Sequence, residues 1–459
     1  MNRATSTCKS VACLLLTLVA LLLMESPLAA QYTTANLGGT VADVTGATVP
    51  DARVSVRNIE TGFSQTTVSG ATGAFVFPRL PVGSYELRVE KEGFATYVQS
   101  GIRLAIDQAA NVSVSLQVGQ VSNEVTVTGE AELVSSRTAT GGQVVSQVPI
   151  VELPLNGRRP ERLMYLAAGT VDLGRNSCRI CGNGGVYPGE ETPGVNGNGQ
   201  GQVNFQMDGA DHNDTYLNTS LPFPNPDSVQ EFSLLSSNFT AEYGNAAGGI
   251  VNIVSRSGTN EIHGSLFEFL RNGKLNARQY FAVAQDQLKR NQFGGSAGGR
   301  IVKDKLFYFG TYQGTRVRNV PSGQVQFVPT QAQRNGDFSS LSTRLVDPVS
   351  GVALPNNQIP ASRLSPVSQY FLNNIPLPNG PNGQLTFPGA PIVQTENQFM
   401  TKVDYVRGKQ QVSGRYFFTD FKAPPGQVKG NVLADPGTGN QVRVQNVALN
   451  HTSLFPPPS

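Results

Sequence analysis

Tryptophan is absent from the 459 residues, and histidine occurs only at His212, His263 and His451. No His-Glu-x-x-His or His-x-x-Glu pattern exists, so hydrolysis at zinc has no ligand set. Cysteine is scarce as well. Cys8 and Cys13 fall in the N-terminal segment, which leaves Cys178 and Cys181, too few for a second zinc-binding pair. Charged residues make up 15% of the chain, and 35 basic against 32 acidic side chains leave +3. That balance gives no reason to expect nucleic acid as a partner. After the first 31 residues no apolar run approaches 18 residues, so a mature chain held in a membrane would cross it as a β-barrel. With no metal-ligand triad and no nucleophile–base set, the expectation is that the chain is not an enzyme and needs no cofactor.

What is abundant is glycine, 49 residues, and proline, 29. A polar, glycine-rich chain of low charge could be disordered, but apolar residues alternate along most of its length, which disordered chains lack. Residues 1–30 read as an export signal. Arg3 and Lys9 give a positive start, residues 11–24 form an apolar core interrupted only by Thr17, and Ala29-Ala30 precede Gln31. The core is short for a spanning helix. Leu28 is larger than cleavage sites favour, so the cut is placed near Gln31 to within a residue or two; the competing reading is a membrane anchor.

Residues 31–118 alternate with period two between turns. Two short strands flank Thr45-Gly46. Phe75 and Phe77 share one face of a strand, and Tyr85, Leu87 and Val89 share one face of the next, with Pro78, Pro81 and Gly83 between them. Strand runs at this spacing predict a sandwich of about seven strands. The pattern G-x-V-x-D-x-x-G-x-x-V-P-x-A-x-V-x-V at 39–56, then G-x-F-x-F-x-x-L-P-x-G-x-Y-x-L at 73–87, then Gly93-Phe94, resembles the carboxypeptidase regulatory-like domain. The resemblance implies a prealbumin-like or immunoglobulin-like, carbohydrate-binding-like β-sandwich without catalytic residues. It leaves open whether the module binds a glycan or serves as a spacer.

Residues 119–139 form a linker containing Asn123-Glu124-Val125-Thr126-Val127-Thr128-Gly129-Glu130. This short two-faced strand former could add to the sheet edge of a partner through main-chain hydrogen bonds, or be the last strand of the sandwich. Residues 140–259 follow. Pro154-Leu-Asn-Gly-Arg158 precedes a helical run at 160–168, with Asn156 or Gly157 as its expected cap and Gly169 as its end. Then come a glycine- and asparagine-rich loop, Val203-Asn-Phe-Gln-Met207 leading into Asp208-Gly209, and SVQEFSLLSSNFTAEYGNAAGGIVNIVSRSGT at 228–259. The order of these pieces resembles the plug of TonB-dependent outer-membrane receptors. VELPLNGR and FQMDGADHND resemble the Oar-like subgroup that carries an N-terminal sandwich. The resemblance makes Glu124, Val125, Thr126, Val127 and Thr128 the TonB box. Asp208, Asp211, Asn213 and Asp214 are candidate ligand-binding residues for a cation or polar ligand. Their spacing fails that of an EF-hand, since glycine directly follows the first aspartate, and solvated turn carboxylates are the competing reading. Cys178 and Cys181 have the spacing of a redox motif, but the Gly-Asn-Gly-Gly that follows is a poor helix start. In an exported chain a disulfide between them is the expectation.

Residues 260–459 read as barrel strands. At 398–418, Phe399, Thr401, Val403 and Tyr405 alternate with Gln398, Met400, Lys402 and Asp404. After a turn at Arg407-Gly408-Lys409, Val412, Gly414, Tyr416 and Phe418 alternate with Gln411, Ser413 and Arg415. Apolar-out, polar-in alternation fits a strand pair between lipid and a wet lumen. Residues 263–272 and 305–317 repeat it, and 321–395 reads as one long loop. A transporter barrel of about 22 strands needs roughly 220 strand residues, more than this region offers, so an incomplete barrel is expected. The predicted fold class is mainly β: a sandwich, a small mixed α/β plug and the start of an antiparallel transmembrane barrel. The resemblance implies a TonB-dependent receptor taking up a ligand by energised plug displacement, with TonB and its inner-membrane complex, outer-membrane lipid and an extracellular ligand as partners. Siderophore, glycan and peptide all fit as that ligand. The rival is a surface carbohydrate-binding or adhesion protein that does not transport.

Overall fold

The computed structural model describes residues 33–119, 124–128, 141–173 and 191–453, apart from 217, 240–242, 245, 279, 281–283, 322, 427 and 435–438. The expected export signal, most of the linker at 119–139 and the Cys178–Cys181 disulfide lie outside these residues.

The N-terminal unit is a two-sheet sandwich. Its strands are β1 (Thr34–Asp43), β2 (Arg53–Asn58), β3 (Ser64–Val68), β4 (Ala74–Pro81), β5 (Gly83–Glu90), β6 (Thr96–Leu104), β7 (Ala109–Leu116) and β8 (Glu124–Thr128). One sheet has the order β4-β1-β7, the other β3-β2-β5-β6-β8. The alternation works as the sequence indicates: Phe75 and Phe77 from one sheet meet Tyr85, Leu87 and Val89 from the other in one apolar core. Tyr85 is tolerated there because its hydroxyl donates to Pro81 O at 2.8 Å. Gly39 lets β1 and β7 approach, since a Cβ there would stand 2.1 Å from Val112 O. The expectation of seven strands is short by one. The eighth is β8, the segment read as a TonB box, which pairs in parallel with β6 from Thr96↔Glu124 to Ser100↔Thr128.

The second unit contains β9 (Gly141–Ser146), β10 (Thr170–Asp172), β11 (Pro193–Val195), β12 (Val203–Met207), β13 (Ala210–Asp211), β14 (Val229–Ser237) and β15 (Gly249–Ser255). Five of them form a mixed sheet of order β13-β12-β15-β14-β9. Every residue of β12 and β15 is buried, as in a sheet covered on both faces. The helical run is a 3₁₀ helix at Pro160–Leu166. Its N-cap is Arg159, with no side-chain cap bond, which corrects the expected cap at Asn156 or Gly157. Pro160 at the first helical position has no N–H to satisfy and presets φ, so a side-chain cap is not required.

The third unit is an antiparallel sheet of six long strands: β16 (His263–Asn272), β17 (Lys289–Val302), β18 (Leu306–Asn319), β21 (Ile392–Arg407), β22 (Gln410–Ala423) and β23 (Asn440–Ser453). Its order is β16-β17-β18-β21-β22-β23, and among the described residues it does not close. Side chains alternate as expected: Gln398, Met400 and Lys402 are buried, while Thr401, Val403 and Tyr405 are exposed. Phe399 stacks on Phe418 on the outer face, with ring centroids 5.0 Å apart. The stretch expected to be one long loop is partly folded. It holds β19 (Gln324–Phe327), β20 (Gln384–Phe387) and a helix at Pro366–Asn373, gathered near a small cluster of Val328, Leu385, Phe387 and Ala434. No helix among the described residues is long and apolar enough to cross a membrane.

Candidate functional site

The second unit lies against the inner face of the long-stranded sheet, and polar side chains hold it there. Asp208, just after β12, is 3% exposed and takes Arg415 of β22, 1% exposed, at 2.7 Å. Lys402 of β21 stands 3.7 Å from the same carboxylate. Ser255 donates to it twice, from N at 2.9 Å and Oγ at 2.6 Å. Burial alone would raise the Asp208 carboxyl, but Lys402, Arg415 and Ser255 together hold it below its ordinary value. Arg415 also donates to Met207 O at 3.0 Å and to Asn446 Oδ1 at 2.8 Å. Asn446 and Asn450 of β23 donate to Asp211 O and Asp208 O. His212 is fully buried against Phe417, and burial pushes its pKa down to about 4. Higher on the wall, Gln398 accepts from Asn225 N and donates to Phe223 O at 2.8 Å. Most of the bonds to the second unit run to its main chain, so the wall reads its backbone as well as its side chains.

The sheet has two unlike ends. At one, two-residue or three-residue turns join β17 to β18 and β21 to β22; at the other, long segments at 273–288, 320–391 and 424–439 connect the strands. A cavity of about 50 Å³ opens toward the long-loop end, with Arg159, Glu161, Pro222, Arg290, Gln313 and Glu396 among its walls. Burial pushes the Glu161 carboxyl up to about 8, against the pull of Arg159, so it is largely protonated at neutral pH and can donate as well as accept. Behind it, Glu191 pairs with Arg162 at 3.0 Å and accepts from Tyr165 OH at 2.8 Å. Arg158 pairs with Asp227 and lies 3.8 Å over the Phe267 ring.

The sandwich sits at the short-turn end. Asn260 N donates to Glu60 O at 2.9 Å, and Val406 packs on the sandwich core. A larger cavity, about 520 Å³, lies between the three units, with Glu60, Arg256, His263, Lys402, Asp404 and His451 among its walls.

The residues expected to act together are divided among different tasks. Asp208 is a buried ion-pair partner, which corrects its reading as a solvated turn carboxylate. Asp211 is exposed, and its Oδ1 accepts from Asn213 N at 3.3 Å. Asn213 accepts from Phe205 N and donates to Asn218 Oδ1, bracing the turn. Asp214 accepts from Tyr216 N at 3.1 Å. Among the described residues no cluster of three or more His, Cys, Asp or Glu could hold a metal ion. Val125 and Thr126 lie on the edge strand β8. Arg415, Lys402 and Gln398, the wall's contribution, carried no sequence signal beyond falling on the inward face of an alternating strand.

Comparison with known proteins bears on the first and third units. Residues 36–117 match the model of the carboxypeptidase regulatory-like domain, and residues 254–458 match that of the outer membrane beta barrel domain. The chain thus resembles the first family in its N-terminal unit and the second in its long-stranded sheet. It is 30% identical over 280 residues to the TonB-dependent transporter Oar of Myxococcus xanthus, a match covering 56% of this chain and 25% of that one. The chain therefore spans about a quarter of the length of the curated relative it matches. The ferric enterobactin receptor PfeA of Pseudomonas aeruginosa has 13% identity over 69% of this chain and 38% of its own, at a TM-score of 0.39. The siderophore receptor PirA of Acinetobacter baumannii has 14% identity over 68% and 45%, at a TM-score of 0.32. The recognition made from the motifs holds: the chain resembles TonB-dependent transporters, and its barrel match supports an outer-membrane location.

Proposed function

We propose that the chain serves in a TonB-dependent outer-membrane receptor, exported by the signal at residues 1–30. Residues 141–259 act as a plug against a barrel wall, and β8 is the strand that TonB grips. The observation that carries this reading is the polar seating of the plug. Asp208, Arg415, Lys402 and Gln398 make a buried but hydrophilic contact, the kind of interface that water can re-enter when the plug moves, unlike an apolar core. The short turns support a periplasmic position for the sandwich-bearing end, because outer-membrane barrels keep short turns inside and long loops outside. On that orientation the small cavity beside Arg159, Glu161 and Arg290 faces outward and is the place for an extracellular ligand to meet the plug. Its paired cations and its protonated carboxyl suit a polar ligand rich in oxygen, a class that includes siderophores and glycans.

The reading is tested by capture. The periplasmic part of TonB, immobilised, should retain the full chain from solubilised outer membranes. Val125→Pro should abolish retention, because proline removes a main-chain donor from a pairing strand and fixes φ. Undiminished retention of the proline variant would remove the assignment of residues 124–128.

A further inference from the structure

The turn between β6 and β7 enters the plug. Asp107, with φ 60, presents a carboxylate that accepts from Ser233 Oγ at 2.6 Å, Tyr243 OH at 2.6 Å and Asn252 Nδ2 at 3.0 Å. Beside it Ile106 N donates to Glu231 Oε1. Glu231 and Ser233 belong to β14 and Asn252 to β15, where Ser233 and Asn252 are direct register partners. All three are buried, at 3%, 0% and 1% exposure, so plug side chains that water cannot reach find partners on the sandwich. A left-handed backbone at a residue other than glycine persists where its surroundings over-determine it, and three donors on one carboxylate do so here.

The same residues of β14 are held from the other side. Glu231 pairs with Ser146 and Ser233 with Val144 of β9. Strand β8 therefore has two routes to one place on the plug. One runs along the chain through residues 129–140 to β9. The other runs sideways into β6, its parallel partner, and from the end of β6 at Leu104 directly into the turn that carries Asp107.

We propose that Asp107 is a coupling residue that makes the sandwich a lever arm of the plug, so that a partner pulling on β8 loads β14 through β6 and Asp107 as well as through the chain to β9. This rests on the reading of residues 124–128 as the gripped strand. Aspartate suits the position because an ionised carboxylate accepts from all three donors, with the strength of charge-assisted bonds. Asparagine would turn an amide toward at least one of them.

The coupling can be read by force. A handle is attached at Thr126→Cys, with Cys178→Ser and Cys181→Ser, in the full chain held in outer-membrane vesicles, and is pulled in an atomic-force microscope. The handle takes the place of the partner, so the result does not depend on TonB. The expected result is one event in which sandwich and plug sheet yield together, and its loss in Asp107→Ala, where the sandwich peels away first and the plug follows in a separate event. Asp107→Asn should give a mixture of the two. Hydrogen exchange should show residues 53–90 as protected in the variants as in the parent, which separates uncoupling from misfolding; if Asp107→Ala fails to insert, Ser233→Ala removes a contact from the plug side and should shift the same pattern. A single joint event surviving in Asp107→Ala, or two events already present in the parent, would overturn the proposal. Failure of TonB capture with the joint event intact would remove the partner and leave the coupling.

Discussion

The sandwich and the plug are neighbours of similar strand content built on different interiors. Among the described residues of the sandwich no Asp, Glu, His, Lys or Arg is buried; its centre is Leu37, Phe75, Phe77, Tyr85, Leu87 and Val89. The plug buries Glu161, Glu191, Asp208, Asp227, Glu231 and His212. An apolar interior gains stability from every square ångström of contact and is indifferent to pH near neutrality. A buried charge gains little net stability but is strict about its partner. The first interior is held by contact area, the second by which partner each buried charge meets.

The comparison can be broken first in the sandwich. Phe77 is 1% exposed, and Phe77→Ala should cost about 4 kcal/mol through lost transfer energy and the cavity left behind. Hydrogen exchange should report the loss across β1 to β7 while β12 and β15 stay protected; equal loss in both units would show that they share one cooperative core. Arg415→Ala attacks the plug and strands Asp208 without its near partner, at a cost of about 3 kcal/mol. Urea titration read at β12 and β15 should shift while the sandwich does not. Pairing Arg415→Met with Asp208→Asn should recover most of the shift, since it is the unpaired charge that is expensive.

Acidity sharpens the contrast. Glu161 and Glu231 are pushed up from 4.5, to about 8 and about 7, by burial. The folded plug therefore holds protons that the unfolded chain has released, and this contribution is complete below pH 4.5 and disappears as pH rises through those values. His212 has the opposite sign: lowered from 6.5 to about 4, it favours the plug above pH 6.5 and loses that contribution as pH falls toward 4. Above pH 6.5 the histidine changes little, so the carboxyls decide. Plug stability should fall by about 2 kcal/mol between pH 6.5 and 8, and Glu161→Gln should flatten much of that slope in unfolding followed against pH. The sandwich, without such groups, should show none. The smallest effect belongs to its surface. Arg88 and Glu90 pair at 2.8 Å but stand 42% and 35% exposed, and Arg88→Ala should move the unfolding midpoint by no more than about 0.5 kcal/mol allows.

Much of this molecule is legible in its residues. The β16 span of 263–272 coincides with the alternation HGSLFEFLRN. The apolar positions of β4 and β5 are those of the core, and the order of motifs points to the transporters that the chain resembles. Strand β17 was not legible, because Phe-Gly-Gly-Ser-Ala-Gly-Gly at 293–299 offers almost no apolar side chain to alternate. Its glycines answer to neighbours instead: a Cβ on Gly294 would stand 2.0 Å from Tyr312 O of β18. Strand β23 is hidden for a related reason, since its inward asparagines look like loop residues until Asn446 and Asn450 are seen donating to the main chain of the second unit.

By itself the sequence determined what is local: where strands alternate, which face is apolar, where glycine and proline turn the chain, and hence a sandwich followed by further strands with long alternating ones last. Only the tertiary structure decided which polar residues meet. Asp208 reads the same whether it lies in a solvated turn or against Arg415, which is more than two hundred positions away. Asp107 looks like any turn aspartate until three plug donors close on it. Residues 124–128 announce a strand but not its partner. A period of two is written in neighbouring residues, whereas the pairing of distant ones depends on register and on the seating of one unit against another, and no local pattern carries that information.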